Sequence, residues 1–222
     1  MDPNSLLGLD WAEIGQATLD TLNMMLWSTA FTVIIGLPLG IILYLTSRGQ
    51  VLQQPLAYGV LSFIVNVVRS VPFIILMIMV IPLTKLIVGT SLGVTGSIPP
   101  LVIAAAPFFA RLVETSLREV DRGVIEAAQS MGATNWQLIR HVYLPEARPG
   151  LIAAITITTV TLVSYTAMSG VIGGGGLGDL AIRYGYQRFQ TTVMIVTVII
   201  LLVLVQILQT LGDRLVQNYQ RK

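Results

Sequence analysis

Residues 22–45 contain no charged side chain, and that single run most restricts what the chain can become. A helix needs roughly 20 mostly apolar residues to cross the hydrocarbon core of a bilayer. Residues 155–171 (extendable back to Pro149) and 192–211 form two further runs of this kind. Lipid offers no hydrogen bonds to a bare backbone, so spans of this composition must be helices. Gly36, Pro38 and Gly40 interrupt the first run, which a membrane helix tolerates when neighbours satisfy the freed groups. Charged residues make up only 11% of the chain, against about a quarter in soluble domains. Most of its surface must therefore face lipid or protein.

The middle of the chain is less regular. Residues 51–68 are uncharged, Arg69 follows, and Lys85 ends a second apolar stretch. The intervening Arg-Ser-Val-Pro offers no glycine for a tight reversal. The pattern predicts one long helix over about 55–87, kinked at Pro72, with Arg69 toward one interface. A returning span over 101–117 carries Arg111 and Glu114 near its end. The expectation is an all-α membrane protein with five transmembrane helices, forming a single transmembrane domain over 1–222. Residues 1–20 read as a solvated tail, with a short amphipathic helix near 11–22. Asp2, Asp10, Glu13 and Asp20 precede the first span without a basic cluster, unlike a secretory signal.

Basic residues set the orientation of such spans. Arg48, then Arg111, Arg118, Arg122, Arg140 and Arg148, then Arg214, Arg221 and Lys222 would fall on one side. Only Lys85, Arg183 and Arg188 would fall on the other. This places the N-terminus outside and the C-terminus inside. The long polar segment at 119–148 then lies in the cytoplasm.

That segment is a water-facing island between apolar spans. Asp121 is placed to cap a helix from Arg122, and Gly132 to end it in a left-handed conformation. Thr134-Asn-Trp-Gln137 is a capping box for a second short helix, which should run to about Tyr143 and stop before Pro145. Glu126 can pair with a basic partner, Ala127 and Ala128 keep one face small, and Trp136, Ile139 and Tyr143 offer apolar contact area. Physics alone leaves two readings open: a rigid docking knob for another protein, or an amphipathic helix pair lying on lipid headgroups.

Glu126-Ala-Ala-x-x-x-Gly132, with Ile139 and Leu144-Pro145 further on, resembles the cytoplasmic loop of bacterial ABC-importer permeases. The resemblance implies the type I importer permease fold, with a two-helix coupling loop that enters a cleft of a cytoplasmic ATP-binding subunit. It assigns that contact to Glu126, Ala127, Ala128, Gly132, Ile139, Leu144 and Pro145. Arg69-Ser-Val-Pro-Phe-Ile-Ile-Leu and Ala105-Ala-Pro-Phe-Phe-Ala-Arg-Leu-Val-Glu114 look like amino-acid importer permeases. Tyr165-Thr-Ala-Met-Ser-Gly-Val-Ile-Gly-Gly-Gly-Gly-Leu-Gly-Asp-Leu-Ala-Ile-Arg-Tyr-Gly-Tyr186-Gln is similar to methionine importer permeases. The resemblance runs from about Leu19 to the end.

Tyr165, Met168 and Ser169 fall at i, i+3 and i+4, so one helix face carries all three. Two readings stand for them: a substrate pathway or gate, and ordinary packing. Gly173–Gly176 lacks the Lys-Ser or Lys-Thr of a phosphate loop, which leaves a flexible turn or a close helix approach. Asp179 and Arg183 are spaced to pair, as are Arg111 and Glu114.

Nothing in the chain reads as an enzyme. There is no cysteine and one histidine, His141, so neither a metal cluster nor a catalytic triad can be assembled. No ATP-binding motif is present, so ATP and Mg²⁺ would be bound by a separate ATPase. No basic stripe with interleaved aromatics suggests nucleic acid. The expected assembly is two copies of this chain in the lipid of the bacterial inner membrane. Two cytoplasmic ATPase subunits and an external solute-binding protein complete it. A permease for another amino acid or small osmolyte is the near alternative. An ion-coupled secondary transporter or a non-transporting scaffold is the distant one; the later spans hold no Asp or Glu until Asp213, against ion coupling.

Overall fold

A computed structural model describes residues 10–220, and among them there is no strand. Among the described residues, four helices are long and apolar enough to cross a membrane: α1 (Trp11–Thr46), α5 (Gly93–Arg118), α9 (Arg148–Ser169) and α11 (Thr191–Gln220). Between α1 and α5 lie three shorter helices, α2 (Pro55–Ser70), α3 (Phe73–Met79) and α4 (Ile81–Val88). A fifth span exists if α2 and α3 are counted together, although their axes turn through 104°.

That turn corrects the expected single helix over 55–87. Pro72 holds an extended ψ of 135° and begins α3 instead of bending α2. Its ring disfavours a helical Val71, so the chain leaves the helix one residue early. Ile75 and Leu76 donate back to the Pro72 carbonyl, which starts a new helix in a new direction. Gly89, left-handed at φ 79°, ends α4.

The helix expected near 11–22 is present, but it is continuous with the first span and not a separate element. α1 begins at Trp11, where Asp10 accepts from the Ala12 and Glu13 amides, and runs unbroken to Thr46. Ile14 and Ala17 are buried, so this first stretch is packed. Residues 1–9 of the tail lie outside the described residues.

Two compact units can be distinguished. One comprises residues 10–31, Val71–Ala105 and Thr159–Gln209 among those described. Within it, α10 (Gly176–Leu180) follows α9 after a 3-10 turn, Gly170–Ile172, and leads into a π-helical segment, Ala181–Tyr186. This run packs on α1 at close quarters. A Cβ on Gly176 would come within 2.6 Å of Thr21 Oγ1, and one on Gly178 within 2.3 Å of the Ala167 carbonyl. The Leu177 amide donates to Thr21 Oγ1 at 2.9 Å. The glycine run thus serves both readings: Gly173, Gly175 and Gly176 take left-handed backbone at φ 79°, 77° and 76°, and Gly176 also lies close against α1. Arg183 pairs with both Asp179 (3.3 Å) and Glu13 (3.1 Å).

The other unit comprises Thr32–Ser70, Ala106–Thr158 and residues 210–220 among those described. Here Gly36 and Gly40 of α1 meet Ala106 and Ala110 of α5. A Cβ on Gly40 would lie 2.6 Å from the Ala110 carbonyl, and one on Gly36 2.9 Å from that of Ala106. Small residues four apart on both helices let the backbones touch, the usual way to gain packing energy where lipid gives no hydrophobic drive. Tyr44, Phe109, Val113, Leu117, Leu138 and Tyr143 form the core beneath the 119–148 loop.

Candidate functional site

The loop 119–148 folds as the spacing of its caps dictates. Asp121 Oδ1 accepts from the Gly123 and Val124 amides at 2.7 and 3.3 Å, starting α6 (Arg122–Ser130). Gly132, at φ 80°, ends it by turning the chain, and the Ala133 amide returns to the Ala128 carbonyl. Thr134 then caps α7 (Asn135–Leu138) reciprocally: its hydroxyl accepts from the Gln137 amide, and Gln137 Oε1 accepts from the Thr134 amide. Helix, glycine turn and helix follow as expected.

The second helix does not stop before Pro145. It widens into a π-helical turn, Ile139–Tyr143, and continues through α8 (Leu144–Glu146). The Leu144 amide reaches back five residues to the Ile139 carbonyl. A proline inside an α-helix clashes with the carbonyl four residues earlier and lacks a donor. With a widened turn just before Pro145, the helix passes the proline and hands over to α9 at Ala147.

The motif residues divide between core and surface. Glu126, Ala127 and Gly132 are exposed; Ala128 is buried with Ile125 beneath α6. Ile139, Leu144 and Pro145 are partly covered, and Ile139 packs on the core. Only Ala127 of the alanine pair therefore keeps the outer face small. Of the apolar candidates, Trp136 is 66% exposed while Tyr143 is buried edge-on against Tyr44, ring centroids 5.2 Å apart. Burial raises the Tyr143 phenol pKa above its ordinary value. Met131 and Val124, which the sequence reading passed over, join Trp136 as exposed apolar residues. Their signal was an apolar side chain inside a segment otherwise polar. Behind Glu126 lies a cavity of about 370 Å³, bordered by Gln50, Arg118, Arg122 and Gln129.

Close by, three charges gather at the end of α5. Glu114 accepts from Arg111 and Arg118, each at 2.6 Å, and from the Tyr58 hydroxyl at 3.1 Å. The expected Arg111–Glu114 pair is thus present, joined by Arg118 one turn further along α5 and by Tyr58 of α2, which spacing along one helix cannot reveal.

Tyr165, Met168 and Ser169 have different surroundings. Tyr165 stacks on Phe73, with centroids 4.3 Å apart and planes 3° from parallel. Ser169 is fully buried, donates to the Thr166 carbonyl and approaches Met24 Sδ at 3.9 Å. Met168 is 38% exposed. Ser169 is thus enclosed, Tyr165 is partly covered, and Met168 is the most exposed of the three.

Comparison with known proteins matches residues 36–221 to the family described as the binding-protein-dependent transport system inner membrane component. The chain is 53% identical, over 93% of its length and 92% of the relative's, to a probable D-methionine transport system permease protein MetI of Vibrio cholerae. It is 47% identical, over 92% of each chain, to the methionine import system permease protein MetP of Bacillus subtilis. Among solved structures it resembles a chain of the MetNI methionine ABC transporter in an inward-facing conformation, with TM-score 0.93, 45% identity and 99% of each chain covered. A chain of an amino acid ABC transporter, at TM-score 0.68 and 20% identity over 96% of this chain and 99% of that one, shares the fold.

Proposed function

This chain belongs to the family of binding-protein-dependent transport system inner membrane components, and we propose that it is the transmembrane subunit of an ATP-driven methionine importer in the bacterial inner membrane. The observation that carries the substrate is near-full-length identity of 47–53% to permeases named for methionine. ATP hydrolysis belongs to a partner subunit. Two copies of this chain pair around the pathway, two ATPases dock on the two loops, and an external binding protein delivers methionine. The basic residues clustered around 111–150 and the C-terminal end support a cytoplasmic loop and an external N-terminus.

In this reading, Glu126, Ala127 and Gly132 form the outward part of the docking surface. Trp136 and Met131 supply the apolar contact at its centre, as exposed aromatic and Met side chains commonly do at interfaces. Ala128, Ile139, Leu144 and Pro145 act from beneath, by fixing α6 and the π-helical turn to the core. Nucleotide closure of the ATPases drives the two loops together and biases the pair toward an outward-open state, and hydrolysis returns it. Met168 is the pathway residue with the most surface to offer. Tyr165 and Ser169 shape the pathway by holding α9 against α3 and α1.

The test is uptake by vesicles reconstituted with this chain, its ATPase and its binding protein. Labelled methionine of either hand should enter only with ATP, and other amino acids should compete poorly. Glu126→Arg should release the ATPase and abolish uptake. Uptake of another amino acid in place of methionine would overturn the substrate. Full ATPase retention and uptake in Glu126→Arg would overturn the docking role.

A further inference from the structure

Glu114 is only 3% exposed, yet it is a carboxylate with three donors gathered on it. Two come from its own helix: Arg111 Nη1 at 2.6 Å and Arg118 Nη2 at 2.6 Å. The third is the Tyr58 hydroxyl of α2, at 3.1 Å. Arg111 reaches the same neighbour through Nη2, which donates to the Ser62 carbonyl at 3.2 Å, the Ser62 hydroxyl, and Asn66 Oδ1 at 3.1 Å. Tyr58, Ser62 and Asn66 recur every four residues, so they make one polar stripe along an otherwise apolar helix.

Neutralising one intramembrane arginine would need one acid. This arrangement does more, because its bonds leave α5 for α2 and hold Arg118, the residue from which the docking loop departs. Arg118 is the last residue of α5, stands just before the Asp121 cap, and borders the cavity behind Glu126. One carboxylate therefore joins the root of the loop to α2. Buried hydrogen bonds to charge are directional and strong where the dielectric is low, so α2 sits in a discrete register against α5. A shift by one turn would replace each partner by the next residue of the stripe, so the alternatives are discrete positions and not a continuous slide. We propose that Glu114 is a positioning residue that makes α2 follow the docking loop, so that force from the ATPase reaches the spans. The inference rests on the docking reading above.

The experiment uses the full complex in vesicles with binding protein and measures ATP hydrolysed per methionine taken up. Tyr58→Phe removes one hydroxyl without leaving a charge bare, and should raise that ratio about fivefold, the lower end of typical couplings between sites. Glu114→Gln should raise it further, and the two together should raise it less than the product of the single effects. Co-purification should retain the ATPase at the unaltered stoichiometry in all variants. Hydrolysis and uptake falling in proportion, or an unchanged ratio in Tyr58→Phe and Glu114→Gln alike, would overturn the positioning role while leaving docking intact. An unaltered chain that fails to retain the ATPase would overturn the docking reading, and this one with it.

Discussion

Gly40 shows how much one missing side chain can decide. Its absent Cβ lets α1 lie directly on the Ala110 carbonyl and on Val113, both buried in the same unit. A larger residue must push the helices apart, because what it meets is partly backbone. Gly40→Val should cost about 1–3 kcal/mol, the usual range for overpacking, read as a lower thermal midpoint in detergent. Gly59→Val, with no neighbour within 4 Å, should leave that midpoint nearly unchanged. Gly36 and Gly40 stand in the sequence only as interruptions of an apolar run, and the structure gives them a packing role. Their partners are no more visible, since Ala106 and Ala110 are ordinary residues until α5 is laid against α1. Glu114 teaches the same lesson: its pairing with Arg111 was legible from spacing, but Tyr58 became a partner only through the fold.

At the scale of elements, local chemistry was reliable where it closes on itself. The Asp121 cap, the Gly132 turn and the Thr134–Gln137 box each satisfy backbone groups within a few residues, so no distant contact is needed to form them. Thr134→Ala should remove about 1 kcal/mol from α7, as loss of a cap does. Hydrogen exchange should quicken over residues 134–138 while α5 and α9 keep their protection, and ATPase retention should weaken. Proline was the opposite case. Pro72, expected to kink a helix, ended one; Pro145, expected to end a helix, lies within one. The residue itself fixes only a missing donor and a clash. Whether the chain turns away, as at Ser70, or widens by a residue, as at Ile139–Tyr143, depends on what the next segment must pack against.

At the scale of the whole molecule, the absence of cysteine makes topology directly testable. Gln129 on α6 and Gln187 after the second π-helical segment are both exposed. A membrane-impermeant thiol reagent should label Gln187→Cys in intact cells, and Gln129→Cys only after the membrane is opened. The reverse pattern would place the loop 119–148 outside and remove it from any cytoplasmic ATPase. The apolar faces of α11, including Leu202, Val203 and Ile207, are exposed in a single chain, as expected where lipid or a second copy covers them.

The sequence by itself determined that this chain is helical, that it lives in a bilayer, and where its polar loop begins, turns and caps. Those follow from composition, charge and bonds made between near neighbours. The tertiary structure alone decided which motif residues face outward and that one carboxylate ties the loop's root to α2. Each of those depends on which side chains meet across helices far apart in the chain, and spacing along a single helix carries no record of that.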